Sequence, residues 1–203
     1  MYSNMNDDFN IEDLVGVHSL KPLRPINQFP TVVDDFLPTS LYQQLIDFVF
    51  DTHWQYGWRT SNSVDQFIFN ANYVKVPKDN TDDIEELITQ SVLLETWLII
   101  KKYFNLKTLI RCYANLTTFG VDGYPHTDSK ESNHITIIVY IADNWNINFG
   151  GSTVLFDNGE IVKSVIPKPN RVFAFNGNQI HAASPLTKLC MKPRMTLMFK
   201  ATI

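Results

Sequence analysis

The chain has 203 residues, enough for one domain with a sizeable core, and its 44% apolar and 19% charged composition is that of an ordinary globular protein. A formal net charge of −4, with no cluster of Lys and Arg, disfavours a nucleic acid as partner, because nothing stands ready to release counterions from a phosphate backbone. Cys112 and Cys190 are too few and too far apart for a disulfide framework or a thiolate zinc site.

In chain order, the start "MYSNMNDDFNIEDL" is acidic and polar, unlike a signal peptide. Residues 1–27 show no sustained period and read as a partly disordered arm, leaving 28–203 as a single domain. "FPTVVDDFLP" suggests a short edge strand punctuated by Pro30 and Pro38. Thr39 or Ser40 then caps a helix whose Leu41, Leu45, Phe48 and Val49 share one face. "THWQYGWRTSNS" is a turn-rich, aromatic segment, and "FIFNANYVKV" alternates as a strand. Thr81 with Asp82, Asp83 and Glu85 predicts a second helix start, followed by a stripe of Ile84, Leu87, Ile88 and Ser91, with Lys101 and Lys102 near the far end. This stretch, "ITQSVLLETWLIIKKYF", is the most apolar of the chain, yet Glu95 and Thr96 interrupt it and it is short for a bilayer. No membrane partner is expected, and a reducing cytoplasmic setting is.

Beyond residue 105 the character changes. "TLIRCYANLTTF", "HITIIVYIA", "STVLFD", "EIVKSVI", "RVFAF" and "RMTLMFKATI" are short runs rich in β-branched and aromatic residues, separated by turn formers such as "DNG" and "PKPN". Helices first and closely spaced strands afterwards predict an α+β, mainly β fold. Its form is a double-stranded β-helix, or jelly roll, with the N-terminal helices buttressing one sheet.

His126 and Asp128 stand two apart just before one of these strands. In extended chain their side chains point to one side and converge on a common ion. The triplet alone decides nothing. His181, in "FNGNQIHAASP" after the strand "RVFAF", supplies a third ligand from across a jelly roll. Two His and one carboxylate on one face of an ion leave positions open, as in non-haem Fe(II) oxygenases. His134 is the competitor, but it opens a strand beside "SKES" and reads as a hydrogen-bonded, partly exposed residue; His18 lies in the arm, and His53 follows the first helix.

Arg194 opens the last strand, and Thr196 and Met198 share its face while Met195, Leu197 and Phe199 take the other. An Arg projecting into a barrel needs an anion. Either it pairs with a structural carboxylate or solvent at the strand end, or it anchors an acidic co-substrate that also reaches the ion. Lys192 and Lys200 are the next cations in line for that anchor.

"RCYANLTTFGVDGYPHTD", "ITIIVYIADNW", "FGGSTVLF", "NRVFAFNGNQIHAASP" and "RMTLMFKA" together resemble the Fe(II)- and 2-oxoglutarate-dependent dioxygenases, and within them the prolyl-4-hydroxylase-like branch. The resemblance covers residues 107–203, which it makes the jelly-roll core. It implies Fe(II) on His126, Asp128 and His181, with these three at the catalytic centre. It also implies 2-oxoglutarate as co-substrate near Arg194, Tyr140, Tyr113, Thr196 and Thr136. O2 is the oxidant, and ascorbate supports turnover. Tyr113 and Tyr140 are equally readable as core residues with bonded hydroxyls. Many prolyl-4-hydroxylases carry Lys where this chain has Arg194. The implied reaction hydroxylates a substrate C–H while 2-oxoglutarate gives succinate and CO2. A prolyl residue of a peptide or protein is the first expected substrate; a small molecule such as a free amino acid is next. Two rival classes stay open: a non-catalytic jelly-roll binding module, and a cupin-like metal enzyme such as an isomerase or hydrolase that uses the same ligands without 2-oxoglutarate. Trp58 and Arg59 are the candidate substrate contacts, as a lid or groove wall, unless their segment only packs against the first helix.

Overall fold

The nine residues Arg194–Thr202 form a strand that sorts its side chains onto two chemically different faces. Met195, Leu197, Phe199 and Ala201 enter the larger hydrophobic core, while Arg194, Thr196, Met198 and Lys200 line a cavity. Strict alternation of an extended chain produces this division. The computed structural model describes residues 29–59, 67–77 and 79–203, so the arm expected at 1–27 lies outside the described residues.

Among the described residues the chain runs β1 (Thr31–Val33), α1 (Thr39–Phe50), β2 (Gln55–Trp58), β3 (Ile68–Asn72), α2 (Ser91–Phe104), β4 (Leu109–Thr117), β5 (His134–Ile141), β6 (Thr153–Asp157), β7 (Glu160–Val165), β8 (Val172–Asn176), β9 (His181–Ala183) and β10 (Arg194–Thr202). Seven strands form one sheet in the order β1-β8-β5-β10-β4-β3-β2, and β7-β6-β9 form a second. The strand pairs are antiparallel, and the two sheets make the jelly roll.

Helices α1 and α2 cover one face of the large sheet through Leu41, Leu45 and Val49 and through Leu93, Trp97, Ile100 and Phe104. On the opposite face Ile138, Tyr140, Phe173 and Phe175 pack with Leu155 and Val165 of the small sheet. Tyr42 ties the layers together: its hydroxyl lies 2.8 Å from the Ala142 carbonyl and accepts from the Ala142 amide at 3.2 Å. Trp97 is fully buried, with its ring 5.9 Å from that of Phe199 and its indole N–H donated to Glu85 at 2.6 Å. Replacing Trp97 by Ala opens a cavity beneath the central strand and is expected to cost about 3–5 kcal/mol. Urea unfolding measures this, and a loss below about 1 kcal/mol would mean that α2 contributes little to the core.

Two expectations about helix starts need correction. The first helix is preceded by Pro38, and neither Thr39 nor Ser40 supplies a side-chain cap. The second begins at Ser91, ten residues after Thr81, with only a short 3-10 turn at Glu85–Leu87 before it. Asp83 explains the difference: its carboxylate accepts from the amide of Glu85 at 3.0 Å and from that of Leu109 at 3.1 Å. Ile84 also donates to the Leu109 carbonyl at 2.8 Å, so the segment is tied to β4 instead of coiling. Ile84 and Ile88 are buried as the stripe requires, but Leu87 and Ser91 are exposed. The strands β2 and β9 also appear where the sequence showed only turns and a loop; at four and three residues they are too short for a periodic signal.

Candidate metal centre

Main-chain pairing, not side-chain chance, brings the three candidate ligands together. His126 donates its amide to the His181 carbonyl at 3.0 Å, and His181 returns the bond at 2.9 Å. Asp128 donates its amide to the Gly177 carbonyl at 2.8 Å, which fixes its loop against the end of β8. One ligand atom from each of His126, Asp128 and His181 then lies within 4.8 Å of the others. Each imidazole Nε2 stands 3.5 Å from an Asp128 oxygen.

The far nitrogens are already committed. His126 Nδ1 lies 2.8 Å from the Tyr124 carbonyl and His181 Nδ1 lies 3.0 Å from that of Gln179. A carbonyl only accepts, so Nδ1 carries the proton and Nε2 keeps its lone pair for an ion. Thr136 Oγ1 donates to Asp128 Oδ2 at 2.7 Å, orienting the carboxylate. Burial pushes His181 down to about 4, which keeps it neutral and ligand-competent near pH 7. For Asp128, burial acts upward but is outweighed by Lys200 and the two imidazoles, which hold it well below the usual carboxylate range. Two imidazoles and one carboxylate on one face fit a divalent iron with open positions. His134 lines the same cavity, yet its ring is not part of the group. His53 is exposed beyond α1, and His18 lies outside the described residues.

The cavity beside this group measures about 350 Å³. Arg194 lies at one end of its β10 wall, 5% exposed, with Nε donated to the Gly151 carbonyl at 2.7 Å and Nη2 to Thr153 Oγ1 at 2.9 Å. Among the described residues no carboxylate forms an ion pair with it, so a structural counter-ion is not what holds Arg194 there. Tyr140 donates its hydroxyl to the same Thr153 Oγ1 at 2.8 Å, and its ring faces the guanidinium at 5.7 Å. Gly151 has φ +73°, and a Cβ there would meet Leu186 at 2.7 Å and Arg194 at 3.1 Å. The Gly-Gly turn therefore brings a bare backbone carbonyl against the guanidinium.

Thr136, Thr196 and Tyr113 also line the cavity, as do Trp58 and Arg59. The aromatic segment before the barrel divides its work: Trp54 packs on the large core while Trp58 and Arg59 form cavity wall. Lys192 is at the surface, 3.0 Å from Asp143, and does not face the cavity. Thr153 and Arg111 had no role assigned in the sequence, and Lys200 only that of a second-line anchor. Thr153 stands two residues after Gly151; Arg111 and Lys200 are placed there by the period of two along β4 and β10.

Residues 112–199 match the pattern of the 2OG-Fe(II) oxygenase superfamily, a segment that contains His126, Asp128, His181 and Arg194. Over this segment the chain is similar to the 2OG-Fe(II) oxygenase superfamily. A comparison with curated protein sequences finds no match. Similar solved structures include a Trichoplax adhaerens prolyl hydroxylase in complex with a hypoxia inducible factor peptide fragment, at 15% identity, TM-score 0.62 and coverage of 85% of this chain and 82% of that one. A Pseudomonas putida prolyl-4-hydroxylase aligns at 15% identity, TM-score 0.59 and 85% and 91% coverage. A viral collagen prolyl hydroxylase from Paramecium Bursaria Chlorella virus-1, solved as a 2OG complex, aligns at 12% identity, TM-score 0.60 and 87% and 98% coverage. At these identities the likeness is one of fold. The matched family pattern implies a dioxygenase that uses Fe(II), 2-oxoglutarate and O2. Among the described residues no helix is long and apolar enough to cross a membrane.

Proposed function

We propose that residues 28–203 act as a single catalytic domain that hydroxylates a prolyl residue of a peptide or protein, with 2-oxoglutarate as co-substrate. The observation that carries the chemistry is one cavity holding both the His126–Asp128–His181 group and the buried, carboxylate-free Arg194. The prolyl substrate is supported by the fold shared with prolyl hydroxylases, one of them in a peptide complex, and by Trp58 and Arg59 in the cavity wall.

Bound Fe(II) with 2-oxoglutarate supplies O2 activation coupled to decarboxylation of the co-substrate, giving succinate, CO2 and a hydroxylated product. The chain's residues do the rest. His126 and His181 donate through Nε2, Asp128 through a carboxylate steadied by Thr136. Arg194 takes the distal carboxylate of 2-oxoglutarate, with its guanidinium aligned by Gly151 and Thr153. Tyr140 supports that end through Thr153, and Thr196 and Tyr113 shape the wall on which the co-substrate lies. We place the protein in the cytoplasm, where free thiols such as Cys112 and Cys190 persist, and take ascorbate as a support for turnover.

The iron-loaded protein is expected to form succinate slowly from 2-oxoglutarate without substrate, and faster with a proline-containing peptide that gains one oxygen by mass spectrometry. Oxidation confined to free amino acids or other small molecules would replace the prolyl reading. Iron-loaded protein that binds 2-oxoglutarate but releases no succinate under any condition would favour a binding module.

A further inference from the structure

Buried charge on the cavity wall does not balance. Arg111 and Arg194 are 7% and 5% exposed, and the Lys200 side chain is 15% exposed; all three face the same cavity. Asp128 is the buried carboxylate facing them, whereas Asp79, Asp122 and Glu131 sit at exposed positions of the lining. Arg194 is accounted for by one end of 2-oxoglutarate. Arg111 is not, and Lys200 has only Asp128, a carboxylate that a bound metal would share.

These two are direct cross-strand partners on β4 and β10. They stand six positions from Arg194, roughly 20 Å along the strand. The Arg111 guanidinium lies 4.8 Å from the Tyr113 ring and 5.5 Å from that of Trp58, and the Lys200 ammonium lies 5.6 Å from Tyr113. Among the described residues Arg111 has no ion-pair partner. Lys200 contacts Asp128 Oδ1 at 2.5 Å, so it adjoins the metal group on the side away from Arg194.

Ring faces attract a guanidinium but satisfy none of its N–H donors, which are left for a ligand. A divalent cation held by Asp128 would compete with the Lys200 ammonium for that carboxylate and leave the ammonium to pair with another anion. With 2-oxoglutarate carrying two negative charges, the loaded cavity keeps an excess of buried positive charge on the Arg111 side. Planar guanidinium beside ammonium suits a carboxylate. We propose that Arg111 and Lys200 form a second anion subsite that takes a carboxylate of the substrate, holding the C–H to be oxidised between that carboxylate and the metal group. The proposal rests on the oxygenase reading above and narrows its substrate. A prolyl substrate would present its own C-terminal carboxylate or an adjacent acidic side chain. Trp58, at the same guanidinium, becomes part of substrate recognition.

The test uses benzoate and benzamide as probes, matched in shape and differing in charge. Protein loaded with Co(II) and saturated with 2-oxoglutarate is compared with the Zn(II)-loaded form by proton NMR. Paramagnetic broadening of benzoate but not benzamide is expected, with affinity falling about tenfold or more in Arg111→Met and in Lys200→Met. Arg111→Lys, which keeps the charge, should retain part of the binding, and serves if Arg111→Met does not fold. 2-Oxoglutarate affinity, read in the same variants from the absorption band of the anaerobic Fe(II) complex, should change little. Benzoate that is not broadened, or that binds all variants equally, overturns the subsite. So does a fall in 2-oxoglutarate affinity without benzoate binding, since the carboxylate at Arg111 and Lys200 would then be the co-substrate's own. Wild-type protein that takes up no metal or shows no 2-oxoglutarate band refutes the oxygenase reading instead. Benzoate binding to the metal-free Arg194→Met protein, with and without Arg111→Met, still decides the subsite in that case.

Discussion

His181→Ala will fold but will not retain Fe(II). The imidazole is one of three ligands, and its place is set by reciprocal backbone bonds with His126 that Ala can still make, so the loss is of a donor and not of the scaffold. Removing a partner that merely orients a ligand typically weakens metal binding about 10–100-fold. That is the range expected for Thr136→Val, which deletes the hydroxyl bonded to Asp128. Losing the ligand itself should exceed it, in His126→Ala and Asp128→Ala as in His181→Ala. His134→Ala should retain its iron. Anaerobic equilibrium dialysis with iron quantification measures all five variants. Stoichiometric iron in His126→Ala together with loss in His134→Ala would reverse the ligand assignment.

Arg194→Ala is expected to bind 2-oxoglutarate about 30- to several-thousand-fold more weakly, the equivalent of about 2–5 kcal/mol for leaving a buried charge without its partner. The site magnifies the loss because Arg194 lies among Gly151, Thr153 and Tyr140, with little water to replace it. Arg194→Lys keeps the charge but cannot reach Gly151 and the ligand with one planar fork, so it should fall between the two. Iron content should stay near wild type in both. Titration of the anaerobic Fe(II) absorption band gives the affinities, and an Arg194→Ala protein with wild-type affinity would move the anchor elsewhere.

Much of the architecture was legible because half-buried strands advertise themselves. In β10 the apolar set Met195, Leu197 and Phe199 alternates with the residues that face the cavity, so one written pattern carried both core and site. His126 and Asp128 were readable from their spacing of two, although the structure gives them an isolated bridge and a bend and not a strand. What stayed hidden depends on contacts between distant segments. Asp83 looked like a helix-starting acid, and only its bond to the Leu109 amide shows that it serves β4. Thr153 joins Arg194 to Tyr140 through an oxygen that no spacing reveals. Arg111, in the middle of "LIRCYAN", reads as one polar residue in a strand; its want of a counter-ion exists only in three dimensions.

The paired amides of His126 and His181 bear on how the centre is assembled. Structural zinc sites draw their shape from the ion, and chelation unfolds them. Here two ligand-bearing segments are stitched together by the peptide backbone, and Asp128 is pinned to Gly177 by the same means. Most of the ordering entropy of the centre is therefore settled when the sheets form, before any ion arrives. Iron can come and go as a reversible ligand of a finished pocket, so metal depletion leaves an idle but intact molecule, ready to be reloaded.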